Sequence, residues 1–141
     1  MNSSCVNYTK QILENNESLV TDIIVAEDNA SNIILIKKIL KLLGYSCIIF
    51  TNGYELTNSY HQIVCGLLLL DIHMPAMDGI EVANFLNEHH PDHPPMIALS
   101  ADVLGDNKDK CLKAGFVDFL EKPLIIKELK EMIIKYLKLR E

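Results

Sequence analysis

The sequence predicts an α/β fold: a five-stranded parallel sheet with five helices packed on its two faces. Three observations lead there. From Asp22 onward, five short apolar runs alternate with segments of helical character, the order that right-handed strand–helix–strand crossovers produce. The third run, Gly66-Leu67-Leu68-Leu69-Leu70, has no polar side, as expected of a strand covered on both faces. The first, third, fourth and fifth runs give way to charged or hydroxyl-bearing residues, and strand ends are where such sheets place their working crevice. A chain of 141 residues, 49% apolar and 23% charged, is long enough for one core and too apolar for a disordered or fibrous segment.

Residues 1–20 are polar and weakly periodic, and read as a leader or linker with one short helix near Tyr8 to Leu13; residues 21–141 make the domain. Ile23 to Ala26 is the first strand. Asn29 is placed to cap a helix over Ala30 to Leu43, and Gly44 to end it. Ser46 to Phe50 is the second strand, after which Thr51-Asn52-Gly53 turns into a weaker helix over about Tyr54 to Gln62. Asp71 closes the third run, and a loop holding Pro75 and Gly79 leads into a helix reaching about Glu88. His89 to Pro94 is a loop and Met96 to Leu99 the fourth strand. A helix over Asp106 to Lys113 closes at Gly115, Phe116 to Leu120 is the fifth strand, and Ile126 to Leu139 the last helix. These residues leave no length for a separate effector domain.

Charge and cysteine usage narrow the function. Thirteen basic against 19 acidic side chains give a net charge of −6, the wrong sign for direct nucleic-acid binding. The longest apolar run, Ile63 to Leu70, falls well short of the ~20 residues that cross a bilayer, and Met1 to Thr9 lacks the features of a secretion signal. Cys5, Cys47, Cys65 and Cys111 show no metal spacing and read as small reduced residues of a cytoplasmic protein. His89, His90 and His93 lie in a proline-interrupted loop without an obvious fourth ligand, which argues against zinc.

The sheet brings its strand ends together, and with them Glu27, Asp28, Asp71, Ser100 and Lys122. Two like charges ~4 Å apart repel by about 4 kcal/mol near a protein surface, so one ammonium does not offset three carboxylates. A hard divalent cation such as Mg²⁺ supplies the balance, since it binds carboxylates, keeps waters and accepts a phosphate oxygen. The chemistry that fits is phosphoryl transfer onto a carboxylate.

Five stretches carry a family likeness. Ile24-Val25-Ala26-Glu27-Asp28-Asn29, the run from Leu69 through Asp71-Ile72-His73-Met74-Pro75-Ala76-Met77-Asp78-Gly79, Ala98-Leu99-Ser100-Ala101, Ala114-Gly115 and Glu121-Lys122-Pro123 resemble the receiver domain of two-component response regulators. The resemblance covers about residues 22–139 and is greatest to receivers of hybrid histidine kinases and multistep phosphorelays. It implies the flavodoxin-like strand order 2-1-3-4-5. It also implies that Asp71 accepts a phosphoryl group from a histidine kinase or histidine phosphotransfer protein. Glu27, Asp28, Asp71 and the backbone carbonyl of His73 would hold Mg²⁺, while Lys122 pairs with Asp71 and then with phosphate. Ser100 would bond another phosphate oxygen, Phe119 stands at the aromatic switch position, and a cis peptide precedes Pro123. His73 and Asp102 border the path of attacking water in this family, so they either modulate hydrolysis of the acyl phosphate or form a solvated pair. Movement is expected in the loop from Ala101 to Asp106, where Gly105 adds backbone freedom.

The first helix carries more apolar residues than one buried stripe needs. The resemblance implies that it docks the phosphodonor through Ile33, Ile34 and Leu42, the alternative being that the leader folds over them. Ile125, Met132 and Tyr136 on the last helix suggest a second contact surface or a homodimer. Two other classes share some of these features. A haloacid-dehalogenase-like aspartyl phosphotransferase wants an acid two residues beyond the nucleophile, where this chain has His73. A phosphate-independent protein-binding module has typically lost a residue of the acidic set, and none is lost here. The end of the chain just after the last helix fits a free-standing receiver and the tail of a hybrid kinase equally well.

Overall fold

Short apolar runs without a polar face can satisfy their backbone groups by pairing with one another in a covered sheet. The computed structural model describes residues 4–14, 18–102 and 106–140. In chain order its first elements are β1 (Cys5–Asn7), α1 (Lys10–Glu14), β2 (Leu19–Val20), β3 (Ile23–Ala26), α2 (Ala30–Leu43), β4 (Cys47–Phe50) and α3 (Gly53–Ser59). After a 3₁₀ turn at Tyr60–Gln62 come β5 (Ile63–Val64), β6 (Leu67–Asp71), α4 (Gly79–His89), β7 (Met96–Ser100), α5 (Asp106–Lys113), β8 (Asp118–Glu121) and α6 (Ile126–Arg140). The main sheet is parallel in the order β1-β4-β3-β6-β7-β8, and β2 pairs separately with β5.

Strands β4-β3-β6-β7-β8 have the expected 2-1-3-4-5 arrangement. The strand count differs: the sheet has six strands rather than five. The extra strand comes from the segment read as a leader, whose short helix near Tyr8 to Leu13 is α1, Lys10–Glu14. β1 adds to the sheet edge with Cys5, Val6 and Asn7 opposite Cys47, Ile48 and Ile49. Tyr8 extends the ladder by donating its N–H to Ile49 O at 2.7 Å. Its ring stacks on Phe50 at 4.6 Å, and its hydroxyl lies 3.0 Å from Ser59 Oγ. A three-residue strand carries no periodicity of its own, so only the partner edge reveals it.

Local chemistry sets the element ends. The Asn29 side chain accepts the Asn32 N–H at 3.0 Å and caps α2. α5 stops because Gly115 adopts φ 93°, with Gly115 N–H bonded to Leu112 O and Phe116 N–H to Cys111 O, the paired bonds of a left-handed helix cap. That cap uses the Phe116 N–H, so β8 begins at Asp118 rather than Phe116. Alternation then divides the sheet. Ile24, Ala26, Phe50, Leu68 and Leu70 face α3, α4 and α5, while Ile23, Val25, Ile49, Leu67 and Leu69 face α2 and α6. Each fully buried side chain of this size contributes about 1.5–3 kcal/mol. Among the described residues no helix is long and apolar enough to cross a membrane.

Candidate functional site

Register determines which side chains meet. Ala26 lies opposite Leu70, Asp71 opposite Leu99, and Ser100 opposite Glu121, so the residues at and just past these positions share one end of the sheet. Glu27 is 0% and Asp71 1% exposed, whereas Asp28 faces solvent. Oxygens of Glu27, Asp28 and Asp71 all lie within 4.8 Å of one another. Lys122 Nζ reaches into the group, 2.8 Å from Asp71 Oδ2 and 3.0 Å from Glu27 Oε1. Main-chain donors hold the other oxygens: Asn29 N–H to Glu27 Oε2 at 3.1 Å, and His73 N–H to Asp71 Oδ1 at 2.9 Å.

The charges are out of balance. Burial pushes the Glu27 carboxyl above its ordinary range and the Asp71 charge adds to this, against the Asn29 N–H and Lys122. Burial also works against the Lys122 ammonium, but its bonds to Asp71 and Glu27 and their charges prevail and raise its pKa. Although Lys122 is near, Glu27 Oε1 is buried and receives no well-directed hydrogen bond. An oxygen-only, acid-rich donor set with one buried oxygen unsatisfied fits a hard divalent cation.

Backbone packing fixes the strand end that carries Asp71. A Cβ on Gly79 would lie 2.4 Å from the Asp71 carbonyl oxygen, so only glycine lets the start of α4 abut Asp71. Asp78 and Glu81 close a reciprocal capping box there, at 2.9 and 3.1 Å. The Met77-Asp78-Gly79 motif marks this position in the sequence, but not the close approach to Asp71 that requires glycine there. Asn29, read only as a cap, also orients Glu27 through its N–H.

The other expected site residues are distributed as follows. Ser100 is 1% exposed, and its Oγ is held by its own loop, accepting the Asp102 N–H at 3.0 Å and donating to Asp102 O at 2.9 Å. Its carbonyl accepts the Lys122 N–H at 2.7 Å, tying the strand ends of hydroxyl and ammonium together. Phe119 is half-buried, with Lys108 Nζ 5.5 Å from its ring centre. The Lys122–Pro123 peptide is cis, as expected. His73 and Asp102 are both exposed. Of the loop expected to move, residues 103–105, including Gly105, lie outside the described residues. On α2, Ile34 and Leu42 are 63% and 78% exposed, while Ile33 is half-buried against the core. Among the described residues the leader does not cover the exposed pair; its strand lies along β4 instead. Ile125 is exposed, and Met132 and Tyr136 pack partly into the core. Both ring nitrogens of His93 are engaged, by Pro94 O and Asn87 Oδ1 at 2.7 Å each.

Residues 23–134 match the family model of the response regulator receiver domain. The chain belongs to this family. The receiver is 35% identical over 121 residues to the hybrid signal transduction protein dokA of Dictyostelium discoideum, covering 84% of this chain and 7% of that protein. It is 35% identical over 117 residues to the aerobic respiration control sensor protein ArcB of Escherichia coli, covering 82% of this chain and 15% of that one. The chain thus spans 7% and 15% of the length of these two relatives. Its fold matches the receiver domain of sensor histidine kinase PA1611 from Pseudomonas aeruginosa with TM-score 0.76 and 28% identity, covering 84% of this chain and 98% of that one. That domain holds a coordinated magnesium ion in its active-site cleft.

Proposed function

We propose that this receiver takes a phosphoryl group from a phosphohistidine onto Asp71 and uses the resulting change to alter a protein contact. The observation that carries this reading is the Asp71 carboxylate itself: buried, 2.8 Å from Lys122 Nζ, and among two further carboxylates. Glu27, Asp28, Asp71 and the His73 carbonyl would hold Mg²⁺. When bound, the ion supplies positive charge to the transferring oxygens.

An Asp71 oxygen attacks phosphorus, the P–N bond of the donor breaks, and the imidazole of the donor leaves with that electron pair. Lys122, already at Asp71 Oδ2, turns to a phosphoryl oxygen. Ser100 exchanges its bonds to the Asp102 main chain for one to phosphate, which draws the loop after β7 toward the site. Only contacts that differ between the two states shift the population, and these are such contacts. Phe119, which has no hydroxyl to bury, follows the loop. The chain acts on no substrate beyond its own aspartate. Its donor is a histidine kinase or histidine phosphotransfer protein seated over α2, on Ile34 and Leu42 with Ile33 beneath. His73 and Asp102 modulate access of the water that returns the acyl phosphate to carboxylate.

The test is incubation with acetyl phosphate and Mg²⁺ followed by intact-mass measurement. A phosphate-sized gain in wild type and none in Asp71→Asn supports the reading; equal gains, or no gain in either, overturn it.

A further inference from the structure

β1 lies outside the part of the chain that matches the family model, residues 23–134, yet it is built into the sheet. We propose that Cys5 and Cys47, register partners on β1 and β4, form a reversible disulfide that latches the N-terminal strand to the sheet edge.

Register partners on parallel strands project to the same face, and both residues pack into the cluster between the sheet and α2. Adjacent strands run about 4.8 Å apart, within the roughly 4.4–6.8 Å that a disulfide spans between Cα atoms. The Cys5 Sγ lies 3.9 Å from the carbonyl of Tyr45, two residues before Cys47. Cys5 is half-buried on the edge strand and Cys47 is 1% exposed, so Cys5 is the thiol that a reagent meets first.

The two thiols differ in the way an attacking and a resolving cysteine should. The neighbouring Cys47 thiol lowers the Cys5 pKa, and nearby Lys37 adds to this against burial. Cys5 in turn raises the Cys47 pKa, together with burial, and that effect ends once Cys5 is no longer anionic. The oxidant is a small disulfide of the glutathione class. The Cys5 thiolate attacks one of its sulfurs, forming a mixed disulfide and expelling one glutathione thiolate. Cys47 then attacks the Cys5 sulfur, and the second glutathione leaves. The net change is two protein thiols oxidised to one disulfide and one glutathione disulfide reduced to two thiols, which carry away both protons. The closed link holds β1 on β4 and with it Tyr8 on Phe50, at the end of the sheet where the acidic cluster lies. It does not depend on phosphorylation of Asp71.

The experiment equilibrates the full chain in glutathione buffers of rising disulfide fraction, in native buffer and in denaturing urea, then measures intact mass and maps linked peptides. We expect loss of two hydrogens, one Cys5–Cys47 linked peptide, reversal by dithiothreitol, and a requirement for oxidised glutathione about tenfold lower in native buffer than in urea. Oxidised wild type should melt above reduced wild type, a difference abolished in Cys5→Ser. A persistent glutathione adduct on Cys5, linkage through Cys65 or Cys111, or equal requirements in both buffers would overturn the proposal. The wild-type mapping decides the matter even if a variant folds poorly.

Discussion

Replacing Lys122 by Met leaves an unbranched side chain one atom shorter and removes an ammonium that faces two buried carboxylates. At 2.8 Å from Asp71 and 3.0 Å from Glu27, each pair is worth about 6 kcal/mol in gross Coulomb energy at an effective dielectric near 20. Desolvation cancels most of that, and deleting one partner of a buried pair costs ~3–5 kcal/mol net. Screening reduces it little, because the Lys122 side chain is 18% exposed and those of Glu27 and Asp71 are 0% and 2%. Uptake of a proton by Glu27 relieves part of the cost, which leaves about 3 kcal/mol at neutral pH without divalent ions. For a domain of this size that lowers Tm by about 10 °C.

The direction with pH follows from the two raised pKa values. Lys122 contributes fully below the ordinary lysine range, and its contribution is lost only as pH rises through its raised folded value. Glu27 behaves oppositely to a salt-bridged acid. Its folded pKa is raised, so its ionised form costs stability above that value, and the cost fades as pH falls through it. The deficit of Lys122→Met should therefore shrink as pH falls through the raised Glu27 value, and millimolar Mg²⁺ should narrow it at neutral pH. Scanning calorimetry with EDTA and then with Mg²⁺ measures all three effects. A deficit below about 3 °C at neutral pH, or one that grows on acidification, would show that Lys122 does not carry the compensation.

Gly79→Ala places a methyl group 2.4 Å from the Asp71 carbonyl oxygen and 2.9 Å from Ile72 Cα. Backbone cannot yield cheaply, so a loss of about 3 kcal/mol and slower acetyl-phosphate labelling are expected; an unchanged melt would contradict the packing argument. Ile34→Asp, at a 63% exposed position, should leave stability within about 0.5 kcal/mol of wild type. Its phosphotransfer rate from a phosphohistidine donor should fall about tenfold, equivalent to ~1.4 kcal/mol of docking energy, and an equal rate removes the docking role. His73→Ala should change the lifetime of the acyl phosphate in a dephosphorylation time course, and equal lifetimes dismiss its part in hydrolysis.

Much of this was legible in the chain because buried parallel strands are written as unbroken apolar runs. Ile23 to Ala26 and the helix from Ala30 to Leu43, with its Asn29 cap and Gly44 stop, have in the fold the bounds that the sequence predicts. Other ends shifted where a hydrogen bond had a competing use. The weak helix expected to reach Gln62 ends at Ser59, and a 3₁₀ turn takes over. Among the apolar residues of α2, spacing did not separate Ile33, which packs inward, from its neighbour Ile34, which stays exposed. That division depends on which face the sheet covers.

Local sequence was enough to place a carboxylate, a hydroxyl or a lysine at the end of each relevant strand, because strand termini are marked by the change from apolar to polar residues. Distances among those groups depended on register between strands far apart in sequence. Register alone brings Lys122 within reach of both Glu27 and Asp71, and leaves Glu27 Oε1 buried without a well-directed partner. The same holds at the opposite edge. Cys5-Val6-Asn7 is too short to announce a strand, and it becomes one only because β4 offers an open row of backbone donors and acceptors.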